Sequence, residues 1–275
     1  MPISPLAAQT VTRFAPSPTG LLHLGSAYAA LVAFRRAHEA GGRFLLRIED
    51  IDPARSRPEY TGAIQEDLHW LGLEWETPIR HQSAHLPDYR TTVDHLTALG
   101  IVYPCTCTRA DIAAAASAPH GPEGLLYPGT CRHRPADPAQ PHALRLNTAA
   151  ALALTGPLTW LEESEGRLPC DPLAFGDPVL ARKDTPASYH LCVTHDDALQ
   201  GVTLVTRGLD LRPATSLHRL LQALMSWPEP TYAHHPLLRA PDGTRLAKRD
   251  AASSLRALRE HGMTPDDVIQ AATPR

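Results

Sequence analysis

Apolar residues fall into two spacings along the N-terminal part of the chain, and their order predicts a strand, a helix and a second strand. Val11 to Ala15 (VTRFA) is a compact run that reads as a short strand, ended by Pro16 and Pro18, which cannot donate to a ladder. From Ser26 to Ala40 the apolar positions Tyr28, Leu31, Val32 and Phe34 follow helical spacing, and Gly41-Gly42 closes the helix. Arg43 to Asp50 (RFLLRIED) then reads as a strand. This βαβ order implies a right-handed crossover and a parallel sheet.

Further along, Tyr60, Ile64, Leu68 and Leu71 keep helical spacing between Pro58 and Gly72, and residues 86–100 repeat that design. From Tyr103 to Asp137 the pattern breaks down into Cys, Pro and Gly with a short alanine run, Ala113 to Ala116. Residues 101–137 are therefore expected to form an insertion with too few large apolar side chains for its own core. Strand-like runs return at His142 to Asn147, Leu158 to Glu163 and Val202 to Gly208. Pro213 to Trp227 predicts a helix, Pro241-Asp242-Gly243 a hairpin turn, and two short helices close the chain. Thr264 and Pro265 supply the cap and first turn of the last one. The fold class expected is α/β: a parallel-sheet core over residues 1–249, interrupted by 101–137, then a short helical segment, 250–275.

Composition narrows the function classes. The 275 residues carry 26 Lys+Arg against 29 Asp+Glu, a net charge of −3, so no global field draws in nucleic acid. A basic group near the end, Arg239, Arg245, Lys248, Arg249, Arg256 and Arg259, reads on charge alone as a solvated face. No apolar run approaches the roughly 18 residues of a membrane span, and the first residues lack a secretory pattern. A cytoplasmic protein is expected, and a monomer, since no long apolar stripe is left over. Five cysteines, an odd number, argue against a disulfide framework. Cys170 and Cys192 are isolated and read as ordinary core or loop residues.

Candidate chemistry gathers in three places. The helix opening after the first strand is an anion site by its unpaired N–H groups and dipole; Gly20 and Gly25 allow close approach there, and His23 adds a donor. There is no P-loop pattern. Far downstream, Lys248 stands just past a glycine turn, where a loop lysine can reach a triphosphate. The third place is Cys105 and Cys107 (C-x-C) with Cys131, three soft ligands in a segment that lacks a core. From the residues alone His133 is the natural fourth ligand, because imidazole is a commoner zinc donor than phenolate; three reduced thiols without metal are the alternative. His38, His69, His85, His95 and His261 fall among polar helix positions and read as surface or satisfied groups.

His23-Leu24-Gly25-Ser26 and Arg245-Leu246-Ala247-Lys248-Arg249 together resemble the "HIGH" and "KMSKS" motifs of class I aminoacyl-tRNA synthetases. The fourth "HIGH" position is Ser26 here, and one lysine of the second motif survives. The stretches RFAPSPTGLLHLG, LLRIEDID, HLCVTHDDALQGVTLVTRGLDL and RLAKR, in that order from about Thr12 to Arg249, are similar to the glutamyl-tRNA synthetase catalytic core. The resemblance implies a Rossmann-type core and a ligase that activates L-glutamate with ATP, with Mg2+ as companion. It implies His23 and Lys248 as catalytic residues and His23, Gly25, Ser26 and Lys248 around ATP. Arg13, Phe14, Ala15, Pro16, Ser17, Glu49, Tyr189 and Arg207 are implied as glutamate contacts. Their types suit the substrate: arginines for carboxylates, Glu49 for the ammonium.

The shortened relatives of this family, the glutamyl-Q tRNA(Asp) synthetases, carry C-x-C…Y-x3-C. Cys105, Cys107, Tyr127 and Cys131 match it, so the resemblance implies one structural zinc held by Tyr127 in place of His133. Only residues 250–275 follow Arg249, and no anticodon-binding domain is expected. The implied partner is tRNA(Asp) bearing queuosine in its anticodon. Two alternatives stand beside that: a truncated glutamyl-tRNA synthetase charging a 3′ end, and a non-catalytic zinc-containing RNA-binding paralogue. His23, Glu49, Arg207 and Lys248 together speak against the second, because a binding module needs no adenylation machinery.

Overall fold

The protein is described from a computed structural model, which covers residues 9–114, 120–122, 124–134, 140–182, 186–238 and 254–273. The chain opens with β1 (Val11–Phe14), α1 (Leu24–Glu39), β2 (Arg43–Ile48), α2 (Pro58–Trp70) and β3 (Glu76–His81). Next come α3 (Leu86–Ala98), β4 (Val102–Cys105), α4 (Arg109–Ala114), and the two-residue strands β5 (His120–Gly121) and β6 (Gly124–Leu125). They are followed by β7 (Ala143–Leu146), α5 (Thr148–Thr155), β8 (Thr159–Glu162), β9 (Gly166–Pro169), β10 (Val179–Ala181) and α6 (Tyr189–Leu199). The remainder is β11 (Leu204–Gly208), α7 (Thr215–Leu224), β12 (Thr231–His235), α8 (Leu255–Glu260) and α9 (Pro265–Ala271). Among the described residues no helix is long and apolar enough to cross a membrane.

Residues divide into two compact units, one built from 1–84, 201–210 and 230–275, the other from 85–200 and 211–229. Residues 101–137 lie inside the second. In the first unit β1, β2 and β3 run parallel, as do β11 and β12. Thr203, just ahead of β11, joins the other edge of β1: its N–H donates to the Val11 carbonyl (3.0 Å) and its Oγ1 accepts from the Val11 N–H (2.9 Å). The expected βαβ crossover is present, with α1 carrying the chain from β1 to β2. Ala27, Ala30, Ala33 and Ala37 are buried along α1, and such small side chains let a helix approach the sheet closely. Thr12 Oγ1 donates to the Ala33 carbonyl at 2.7 Å, tying strand to helix. Phe14, Leu22, Leu46, Ile48, Ile64 and Leu68 fill the core, and Val268 of α9 and Ala272 just after it join it. Each such large side chain contributes about 1.5–3 kcal/mol when fully buried.

In the second unit β7 pairs antiparallel with both β4 and β10, and β8 with β9 forms a hairpin. Helices α3 and α6 are linked by the Tyr89 hydroxyl, which donates to Asp196 Oδ2 at 2.8 Å. The four-residue strand β4 delivers Cys105 to the edge of the irregular segment that follows.

Three elements depart from the sequence reading for identifiable reasons. β3 (ETPIRH) is polar and half exposed, so no apolar run announces it. α6 buries seven of its residues, His190 to Thr194 with Asp196 and Asp197, all around the helix, so no amphipathic stripe exists to detect. α1 begins at Leu24, ahead of the expected Ser26, because His23 is its N-cap. The hairpin turn expected at residues 241–243, together with Arg239, Arg245, Lys248 and Arg249, falls outside the described residues.

Candidate active site and metal centre

Parallel strands present their C-terminal ends on one side of a sheet, where open α/β folds bind ligands. The sequence-predicted glutamate contacts of the first unit meet there. Arg13 near the end of β1 is 5% exposed, Glu49 just past β2 is 8%, and Arg207 on β11 is 5%. Arg13 Nη1 donates to the Thr206 carbonyl at 3.0 Å, which holds its guanidinium beside β11. Glu49 is fixed twice: its N–H donates to the Pro16 carbonyl (3.0 Å), and Oε1 accepts from Arg47 Nη2 (3.3 Å). Arg207 Nε donates to His234 Nε2 at 3.1 Å, with the guanidinium 5.2 Å from the centre of the Tyr232 ring. That bond requires a neutral His234 with its proton on Nδ1. Two guanidinium groups and one carboxylate at neighbouring strand ends form a set complementary to a dicarboxylate bearing one ammonium.

The short loop after β1 supplies backbone. Phe14 packs its ring into the apolar core, so it lines the strand end through its main chain. Pro16 is engaged through its carbonyl, and the Ser17 carbonyl accepts from the Thr19 N–H at 2.9 Å. Ala15 connects them. His23 has extended backbone (φ −125°, ψ 174°), and its Nδ1 accepts from the Ser26 N–H at 3.3 Å. Capping through Nδ1 places the proton of the neutral ring on Nε2, making that atom a donor. Gly25 leaves room for this ring: a Cβ there would stand 3.0 Å from His23 Cε1 and 3.1 Å from Nδ1, so the ring would have to shift slightly. Lys248 lies outside the described residues.

Tyr189 is the first residue of α6, in the second unit, where Ser188 Oγ caps the helix by accepting from the Leu191 N–H (3.4 Å). Behind it His190 Nδ1 and His218 Nε2 lie 3.0 Å apart, so one donates to the other.

The metal candidates also lie in the second unit. The sulfur atoms of Cys105, Cys107 and Cys131 are all within 4.8 Å of one another, and Cys107 Sγ is 3.5 Å from Cys131 Sγ. Tetrahedral zinc with bonds of about 2.3 Å sets sulfurs about 3.8 Å apart, so this triangle fits such an ion. Tyr127 brings its hydroxyl to the same place, 3.6 Å from Cys107 Sγ, where its oxygen accepts from the Cys131 N–H at 2.7 Å. His133, by contrast, is exposed and is not part of the thiol group. Burial pushes Cys107 up to about 11 and raises Tyr127 as well. At Cys131 burial acts the same way but is outweighed by hydrogen bonds from Tyr127, the Thr106 N–H and the other thiols, which hold it at about 6.

Some functional neighbours went unread in the sequence. His234 and Tyr232, which hold Arg207, alternate along a strand whose five residues carried no motif. Arg145 interrupts an apolar strand and Asp177 stands alone in a loop; a charged residue inside HALRLN was the available signal.

This parallel sheet with its capped α1, strand-end charges and thiol insertion defines the catalytic domain of a class I aminoacyl-tRNA synthetase. The chain belongs to the family described as tRNA synthetases class I (E and Q), catalytic domain, which matches residues 9–274. It is 49% identical over 275 residues to the glutamyl-Q tRNA(Asp) synthetase of Rhodobacter capsulatus, covering 94% of this chain and 98% of that protein. It is 44% identical to the protein of the same name from Symbiobacterium thermophilum, covering 94% of this chain and 83% of the relative. Among solved structures, the glutamate-tRNA synthetase of Elizabethkingia anophelis superposes with a TM-score of 0.80 at 25% identity, over 96% of this chain. The present chain spans 61% of that one.

Proposed function

We propose that the protein activates L-glutamate with ATP, without help from tRNA, and transfers it to the queuosine base in the anticodon of tRNA(Asp). The observation that carries this is the family pattern joined to the strand-end charge set of Arg13, Glu49 and Arg207, which suits one substrate: a dicarboxylate with one ammonium. In the first step a glutamate α-carboxylate oxygen attacks the α-phosphorus of ATP; the bond to the β-phosphate bridging oxygen breaks and pyrophosphate leaves. His23 Nε2 and the Lys248 ammonium stabilise the charge that builds on the phosphate oxygens, with Gly25 and Ser26 beside the nucleotide. Mg2+ accompanies ATP. Arg13 and Arg207 hold carboxylate, Glu49 the ammonium, and the 14–17 backbone and Ser17 close the pocket; Tyr189 is a further contact on the strength of the family resemblance. In the second step a hydroxyl of the queuosine cyclopentene ring attacks the anhydride carbonyl, AMP leaves, and the hydroxyl proton passes to solvent.

Cys105, Cys107, Cys131 and Tyr127 hold one zinc ion. Four protein donors leave no open position, so the ion braces its segment and takes no part in the reaction. The protein works as a soluble cytoplasmic monomer. ATP–pyrophosphate exchange with glutamate and no tRNA tests the first step: exchange is expected at once, and exchange that begins only when tRNA is added contradicts it.

A further inference from the structure

We propose that Arg145 selects the fourth ligand of the metal centre, holding the Tyr127 phenol over the thiol triangle in preference to His133. The inference rests on the reading of Tyr127 as a ligand. Arg145 stands on β7, the central strand of its sheet, opposite Tyr103 of β4, the strand that ends in Cys105. Its guanidinium carbon lies 4.0 Å above the centre of the Tyr127 ring. Its Nη1 donates to the Asp177 main-chain oxygen at 2.7 Å, while the buried Nε has no hydrogen-bond partner. The guanidinium is therefore placed by one anchor and by its stack on the ring, an arrangement open to a planar cation and not to an ammonium.

Asp177, 2% exposed, turns that anchor into a hub. Its Oδ2 accepts from the Tyr103 hydroxyl at 2.6 Å and from Arg132 Nε and Nη2 at 2.9 and 2.7 Å; Oδ1 accepts from the Thr148 N–H at 3.1 Å. Arg132 follows Cys131 directly. One acidic residue thus fixes both the cover on the Tyr127 ring and the residue beside a thiol ligand. With one face of the ring covered by Arg145 and its oxygen held by the Cys131 N–H, the phenol has a single direction to point. His133 is exposed and has no comparable support. Without Arg145 the ring regains its rotational freedom, and imidazole or water takes the fourth position.

The test uses the full chain stripped of metal and reloaded with zinc or cobalt(II). Zinc loading of the wild type is expected to generate the ultraviolet difference band of a tyrosinate, and Tyr127→Phe to abolish it. Arg145→Met is expected to abolish it too, to shift the cobalt ligand-field bands as Tyr127→Phe does, and to speed metal release to a chelator about 10–100-fold. Arg145→Lys keeps the charge and strand but has no plane to lay on the ring; it is expected to lose the band with native circular dichroism. Arg145 variants that retain the tyrosinate band and the wild-type release rate overturn the inference. If Tyr127→Phe itself leaves the band unchanged, the ligand assignment fails first and the inference falls with it.

Discussion

The strand ends of the first unit and the thiol cluster of the second secure polar side chains by opposite means. Arg13, Glu49 and Arg207 stand on strands whose positions are set by an apolar core of Phe14, Leu46, Ile48, Ile64 and their neighbours. Their bonds to the Thr206 carbonyl, Arg47 and His234 fine-tune side chains on a frame that exists without them. Among the described residues, Cys105, Cys107, Tyr127 and Cys131 cluster with Tyr103, Ile112 and one another. There the polar groups are themselves the cohesion, and on the proposed reading a zinc ion would be what makes thiols in one place favourable. Preorganisation in the first region comes from hydrophobic packing; in the second it comes from the Asp177 hub and, on the proposed reading, from metal ligation.

The sharpest way to break that contrast is at the strand ends. Arg207→Ala is expected to reduce glutamate-dependent exchange by about 10²–10³-fold, the cost of stripping one partner from a buried charged set. The loss should appear in the KM for glutamate, with the KM for ATP nearly unchanged; equal rises in both would mean that the strand end is a frame element and not a carboxylate site. Removing metal tests the other side. Chelation is expected to open β4 and residues 124–134 to hydrogen exchange while β1 and β2 amides stay protected. Protection lost equally in all of them would erase the distinction between the two regions.

The first unit also contains one charge that packing works against. Asp67 on α2 is fully buried, and neither carboxylate oxygen has a hydrogen-bond partner. Burial raises it from 3.8 to about 6, against the pull of Arg259 and Arg256 and with a push from Glu66. The folded protein therefore holds this proton more tightly than the unfolded chain does. The stabilisation is complete below the unfolded value and is lost as the pH rises through about 6. Asp67→Asn is expected to raise stability at pH 7–8 by up to about 3 kcal/mol relative to wild type and to change it little near pH 4. Denaturant melts at the two pH values check this; an equal change at both would point to packing in place of charge. A smaller effect is expected at Gly25→Ala, where the methyl presses on the His23 ring: exchange falls about tenfold, roughly 1.4 kcal/mol, with the fold intact. Unchanged exchange would mean that the His23 ring position does not matter to the reaction.

The sequence announced what packing writes periodically. β1, α1 and β2 were legible because a buried sheet takes continuous apolar runs and a one-sided helix takes a 3.6-residue stripe. β3 escaped because its half-exposed position tolerates Glu76, Thr77 and Arg80, and α6 because burial on every side leaves no stripe. In the candidate site, His23, Glu49 and the thiols stand in local motifs. The supports do not: Arg145 and Asp177 are 32 positions apart, and Arg207 is 27 from His234. Only the fold makes them neighbours, and the one local signal was the charge of Arg145 inside HALRLN. His23, read from the sequence as a donor, has a second task in the fold: one ring nitrogen caps α1 while the other is a donor.

The most direct measurement is transfer of labelled glutamate to tRNA(Asp) from which the 3′-terminal adenosine has been removed, prepared with and without queuosine. The trimmed, queuosine-containing tRNA is expected to be labelled, and its queuosine-free counterpart is not. Label that requires the terminal adenosine and ignores queuosine would contradict this, and would make the protein a charging enzyme for the 3′ end.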